Sequence, residues 1–305
     1  MSGYLLRRLL QTAFVIVGSV TLIFFVLRLS GDPVTLMLPY DASDEIVERF
    51  REAYGLKDPV YIQYFKFLMR AFTGDFGTSL HFNRPALELV LERLPATLEL
   101  ALVSVVLTVT LSIPIGVVAA VKKGSLIDNI LMGAALIGQS MPTFWLGVMA
   151  MIIFAVQLKL LPTSGRGGLR HLILPSISLA VYSMARLARV TRSSMLDVLG
   201  EDYIRTARGK GLRERVVIFR HAMRNASLPV AAMIGLMFAA LVGGSVVIET
   251  VFVWPGIGRL LAEAVRNRDY PVAQAAVLVI ALFVTAVNLL TDISYAYLDP
   301  RIRHE

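Results

Sequence analysis

Few residues in this chain have the type and spacing for bond-making chemistry. Its 305 residues include no cysteine and four histidines. Those histidines, His81, His171, His221 and His304, lie far apart. There is no His-Glu-x-x-His to place two imidazoles on one helix face around zinc, and no Gly-x-Ser-x-Gly nucleophile turn. Without cysteine, disulfides, thiolate metal sites and cysteine nucleophiles are excluded. A phosphate-cradling loop needs Gly-x-x-x-x-Gly-Lys followed by Ser or Thr, and the Gly-Lys here, Gly209-Lys210, is followed by Gly211. What remains is mechanical. Gly209 and Gly211 interrupt a basic, helix-patterned run from Asp202 to Leu212, and Leu212, Val216, Phe219 and Met223 then recur at helical spacing. Glycine lets the backbone turn sharply, so the pattern predicts a helix, a glycine turn and a short helix. A solvated basic loop, or one that only holds anionic lipid, remains open on this pattern alone.

The rest of the sequence says what positions that turn. The chain is 56% hydrophobic and 17% charged, against about 45–50% and 25% in ordinary soluble domains. Stretches free of Asp, Glu, Lys and Arg run over Leu9–Leu27, Leu100–Val121, Asn129–Leu158, Asn225–Ile248 and Tyr270–Thr291. Each approaches or exceeds the roughly 20 helical residues that cross a bilayer. A sixth stretch, His171–Ala185, is short, but it continues through Arg186 and Arg189, whose long stems can carry charge to an interface. It reads as a span, with a re-entrant segment as the alternative. Leu9–Leu27 is longer than a signal-peptide core and lacks a small-residue cleavage site, so it reads as a retained first helix. The sequence thus predicts an all-α integral membrane protein with six transmembrane helices. Ser140-Met141-Pro142 and Pro114 read as kinks.

Charge then orients the spans. Arg7, Arg8, Lys122, Lys123, ten basic residues from Arg186 to Arg224, and Arg301 and Arg303 fall on one side. The short loops opposite carry Lys159, Arg166, Arg170, Arg259, Arg266 and Arg268. The positive-inside rule places both termini in the cytoplasm. The formal charge of +8 is therefore a topology signal, with membrane lipid as a partner and no nucleic acid.

Three regions follow: 1–30, a tail and first helix; 31–98, an extracytoplasmic helical segment; and 99–305, a five-helix core with a cytoplasmic loop at 191–227. In the long segment, Ser43 and Asp44 can cap a helix carrying Ile46, Val47, Phe50 and Tyr54 and stopped by Gly55. Asp58-Pro59 starts a second helix, Val60–Phe72, rich in Tyr and Phe. Such a segment either lies on the lipid interface or packs on the bundle, or it serves as a docking surface or lid. Few charges lie deep in the spans, unlike the proton relays of many secondary transporters. Gln139 and Asn288 are the candidate path-lining polar groups.

Asp202–Pro229 resembles the cytoplasmic coupling loop of ABC-importer permeases, in particular the dipeptide/oligopeptide/nickel branch. The residues are Asp202-Tyr203-Ile204-Arg205-Thr206-Ala207-Arg208-Gly209-Lys210-Gly211-Leu212, then Arg220-His221-Ala222-Met223-Arg224-Asn225 and Leu228-Pro229. The similarity also covers Gly31-Asp32-Pro33, Gly74-Asp75-Phe76-Gly77, Glu92-Arg93-Leu94-Pro95-Ala96-Thr97, Pro142-Thr143-Phe144-Trp145, Trp254-Pro255-Gly256 and Asn267-Arg268-Asp269-Tyr270-Pro271. In the general Glu-Ala-Ala slot this chain has Arg205-Thr206-Ala207.

The resemblance implies a type I ABC-importer-like permease, of the branch's first permease type, in the bacterial or archaeal cytoplasmic (inner) membrane. It implies a second homologous permease subunit, two ATP-binding subunits and an extracytoplasmic solute-binding protein. The chain would be no enzyme and hold no cofactor, ATP and Mg being bound by the ATPase partners. The 202–221 loop would dock on an ATPase subunit, with Ala207, Gly211 and Leu212 shaping it. Arg205, Arg208, Lys210, Arg213, Glu214 and Arg215 would supply complementary charge. Peptides are the expected substrates, with nickel chelates, glutathione and opines as alternatives in the branch. An ATP-independent secondary transporter or channel is the alternative of a different class.

Overall fold

The computed structural model describes residues 2–29, 43–53, 57–79 and 81–298. Gly31-Asp32-Pro33, Tyr54, Gly55, Arg301, Arg303 and the Phe50 side chain lie outside the described residues. Among those described, every regular element is helical, apart from one isolated antiparallel bridge, Thr78–Pro85. The helices are α1 (Ser2–Leu29), α2 (Asp44–Ala53), α3 (Val60–Thr73), α4 (Ala86–Val121), α5 (Leu126–Ser140) and α6 (Thr143–Ala150), which continues as a π-helical turn over Met151–Gln157. After these come α7 (Leu169–Leu199), α8 (Asp202–Gly209), α9 (Glu214–Val216), a π-helical segment Val217–Ala222, α10 (Met223–Val251), α11 (Ile257–Arg266) and α12 (Tyr270–Leu298).

Four of these runs are long and apolar enough to cross a membrane: α4, α7, the continuous run Glu214–Val251, and Tyr270–Ile293 of α12. The α5–α6 pair adds a fifth if counted as one span, bent by 102° at its break. A shorter apolar helix, Leu10–Val26, lies within α1. The stretch that looked short, His171–Ala185, sits inside the 31-residue α7. Of the two expected kinks, Ser140-Met141-Pro142 is the break between α5 and α6, because proline at the start of α6 cannot extend the helix before it. Pro114 lies within a continuous α4.

Two compact units divide the chain, Met1–Thr97 with Pro255–Thr285, and Leu98–Trp254 with Ala286–Glu305. In the first, α3 begins at Pro59 as expected and ends at Gly74, whose φ of 78° closes the last turn. Its Tyr64 and Phe67 lie against α1, while Tyr61, Phe65 and Phe72 are exposed. Thr21 and Tyr64 share a 2.7 Å hydrogen bond, and Phe24 stacks on Phe67 with ring centroids 5.5 Å apart. The sequence reading missed α11. Its buried Ile257, Leu260 and Ala264 join Val20, Leu89 and Val90 in one core. Two polar ties close this unit: the Thr97 hydroxyl accepts the Ile257 N–H at 2.8 Å, and Ser79 donates to buried Asp269.

In the second unit α7 is the central helix, packed against α10, α5 and α6. Small and hydroxyl residues set its closest approach to α4. The Ser112 hydroxyl donates to the Met184 carbonyl at 3.0 Å. A Cβ on Gly116 would lie 2.6 Å from the Ala188 carbonyl oxygen and 2.5 Å from the Thr191 Cβ. Asp128, 2% exposed, receives Arg192 through two 2.7 Å bonds and the Gly124 N–H at 3.0 Å. This fork-on-carboxylate geometry satisfies both oxygens of a carboxylate that would otherwise be costly to bury.

Candidate functional site

The glycine turn is ordered and anchored. Ile204 and Ala207 on α8 are buried with Val117, Ala120, Met195, Val217, Ile218, Ala222 and Ala226. The Asn225 amide donates to the Tyr203 hydroxyl at 2.7 Å. One face of α8 is therefore pinned to the helices beneath it, and the opposite face and the turn are exposed. Gly211 has φ +74° and its N–H donates to the Arg208 carbonyl at 2.9 Å. This left-handed residue after the helix end suits glycine. Gly209 is still helical, so one glycine makes the turn. The helix beyond the turn is not short: it begins at Glu214 and runs without a gap to Val251. The sequence reading ended it early because the basic residues Arg215, Arg220 and Arg224 interrupt its apolar pattern.

Arg208 and Glu214 close across the turn at 2.7 Å. Arg205, Lys210, Arg213 and Arg215 are exposed, as is Leu212 at 40%. Ala207 instead faces inward and supports the loop. The result is a rigid basic knob with an apolar tip, attached directly to a long helix.

The two path candidates are placed differently. Gln139, on the last turn of α5, accepts a hydrogen bond from Arg189. Asn288 is partly buried on α12. Neither lines the cavity of about 270 Å³ that opens among α6, α7 and α10, where Thr143, Tyr182, Ser183, Arg186, Met233 and Met237 form the wall. Sequence reasoning missed this cavity, though Arg186 in an apolar stretch was its visible sign. It also missed Glu249, fully buried and accepting from Ser245 at 2.8 Å. Among the described residues no cluster of three His, Cys, Asp or Glu is placed to hold a metal.

Residues 112–304 match the family described as the binding-protein-dependent transport system inner membrane component, and residues 1–101 match the N-terminal region of such membrane components. The chain belongs to this permease family. The chain is 44% identical over 316 residues to the oligopeptide transport system permease protein AppB of Bacillus subtilis (strain 168). It is 39% identical over 333 residues to the dipeptide permease DppB of Alkalihalophilus pseudofirmus, and 42% over 308 residues to the glutathione permease GsiC of Escherichia coli (strain K12). Each alignment covers 100% of both chains. A chain of the inward-facing MetNI methionine ABC transporter shares the fold, with a TM-score of 0.57 at 19% identity over 69% of this chain and 96% of that one.

The protein is thus an inner-membrane, multi-pass ABC transporter permease subunit and not itself an enzyme. It works with ATPase and binding-protein partners, and ATP is bound by the ATPase.

Proposed function

We propose that this permease is one of two homologous membrane subunits forming the path for short peptides, delivered by a solute-binding protein and moved at the expense of ATP. The observation that carries the substrate class is its full-length similarity, at 39–44% identity, to permeases named for oligopeptide, dipeptide and glutathione transport. Those named substrates are all short peptides. Glutathione itself is the second reading, favoured by the 42% identity to its permease.

In this reading Leu10–Val26 and the bent α5–α6 pair are the first and third of six spans, and both termini are cytoplasmic. The 31–98 segment faces the binding protein, and residues 99–305 form the core. A heterodimer of permeases sits on two ATP-binding subunits. The 202–221 loop docks there through Leu212 and the exposed Arg205, Lys210, Arg213 and Arg215. Gly211 sets the turn, the Arg208–Glu214 pair braces it and Ala207 anchors it. Gln139 and Asn288 tune helix packing along the path.

The substrate class is tested by calorimetric titration of the cognate binding protein with peptides of two to five residues, glutathione and nickel chelates. Saturable peptide binding is expected. Binding of a nickel chelate, with no response to any peptide, overturns the peptide reading.

A further inference from the structure

Three arginines on α7 point to a charge-reading site inside the permease. Arg192 is held by Asp128, and Arg189 donates to Gln139. Arg186, nearly one turn before Arg189, has no acidic partner among the described residues and lines the cavity between α6, α7 and α10. None of the other lining residues is charged; they are hydroxyl-bearing Thr143, Tyr182 and Ser183 together with apolar side chains such as Met233 and Met237.

Depth matters here. At about 1.5 Å per residue, Arg186 lies about 26 Å from the Leu169 end of α7 and about 20 Å from the Leu199 end. The cavity residues of α10, Met233 to Gly244, fall in the middle of that helix as well. Arg186 directly follows the apolar run His171–Ala185, where a guanidinium either carries its charge to the interface or faces a partner or a water-filled cavity, and here it lines the cavity. The cavity lies beside the α5–α6 break, whose non-helical backbone is tolerated at membrane depth where it borders protein or a wet cavity.

We propose that Arg186 receives the free carboxylate of a peptide in transit, so that the permease itself selects for a negatively charged end. The proposal rests on the peptide reading above. A guanidinium presents a donor fork that matches a carboxylate's two oxygens, and the site carries no competing acid. Methionine is flexible enough to accommodate different neighbouring side chains, which suits a peptide of varied sequence. The cavity, about 270 Å³, is near the lower end of ligand-pocket sizes. It therefore fits one end of a peptide rather than a whole oligopeptide.

The test uses the complete importer, with its partner permease, ATPase and binding protein, reconstituted in phosphatidylcholine vesicles. Uptake of trialanine and of its C-terminal amide is measured at saturating binding protein for the native importer, R186Q and R186K. The acid-to-amide ratio of each variant divided by that of the native importer cancels the binding protein's own preference. R186Q should lower acid uptake by about tenfold, leave amide uptake within about twofold, and R186K should recover part of the loss. Equal loss of both peptides assigns Arg186 a structural role and overturns the proposal. A defect for both peptides that appears only when phosphatidylglycerol is added makes lipid phosphate the ligand, and overturns it too. If the native importer hydrolyses ATP but moves neither peptide, the peptide reading fails and this site assignment falls with it.

Discussion

Replacing Gly211 with aspartate is expected to lower ATP-coupled uptake by about 100-fold while the subunit still inserts and folds, an effect the size of losing a strong contact at a docking interface. The two consequences separate because of where Gly211 sits. Its φ of +74° disfavours other residues, yet a Cβ there meets nothing within 4 Å. The folding penalty is then backbone strain alone, about 1–2 kcal/mol, and aspartate tolerates this region better than most residues. A new carboxylate beside Arg208, Lys210 and Arg213, one residue before Leu212, lowers the positive charge at the tip and sets an acidic group next to its apolar contact. Gly211→Asn keeps the backbone tolerance without the charge and should retain a measurable fraction of uptake. Co-purification with the ATPase subunit and vesicle uptake give the two readouts. Normal values of both in Gly211→Asp sink the docking role.

The second large effect is structural. Gly116→Leu should leave little folded subunit, and Gly116→Ala should destabilise it by about 1–3 kcal/mol, the usual penalty for forcing atoms into a filled site. The clash includes the Ala188 carbonyl oxygen at 2.6 Å, and backbone cannot swing aside as a side chain can. Gly133 is the control, since a Cβ there meets nothing within 4 Å and the residue is inside α5. Gly133→Ala should be neutral or stabilise by about 0.5–1 kcal/mol, the helix-interior difference between the two residues. Thermal unfolding of the detergent-solubilised complex compares them. Equal behaviour of the two alanine variants contradicts the close α4–α7 crossing.

Particular residues show what the sequence made legible. Pro59, with its fixed φ, marked the start of α3, and the glycine pair marked the turn after α8. Apolar runs marked the long helices, because a bilayer demands uninterrupted hydrocarbon over a known thickness. Gly209-Lys210 without a following Ser or Thr showed that this pair is not a phosphate-cradling motif. Other features depend on residues far apart in sequence. Asp128 meets Arg192 across 64 positions, and Ser79 meets Asp269 across 190. No local pattern encodes either pairing. The 102° bend between α5 and α6 was visible only as a proline, because the angle is set by packing on both sides. Helix α11 was within reach: Ile257, Leu260, Leu261 and Ala264 follow helical spacing. The basic residues around it drew attention to topology instead. Ala207 was expected to shape the loop, but periodicity did not say which way its face turned. It is buried with Ile204 in the cluster beneath the loop.

An importer driven through an ordered knob must fail when its motor stops, whatever ion gradients remain. The most direct test is uptake into vesicles carrying the complete reconstituted complex, with ATP inside, with a non-hydrolysable analogue inside, or with ion gradients only. The account predicts uptake with ATP and none above background in the other two. Uptake that persists without ATP hydrolysis, or that follows an imposed proton or sodium gradient, contradicts it.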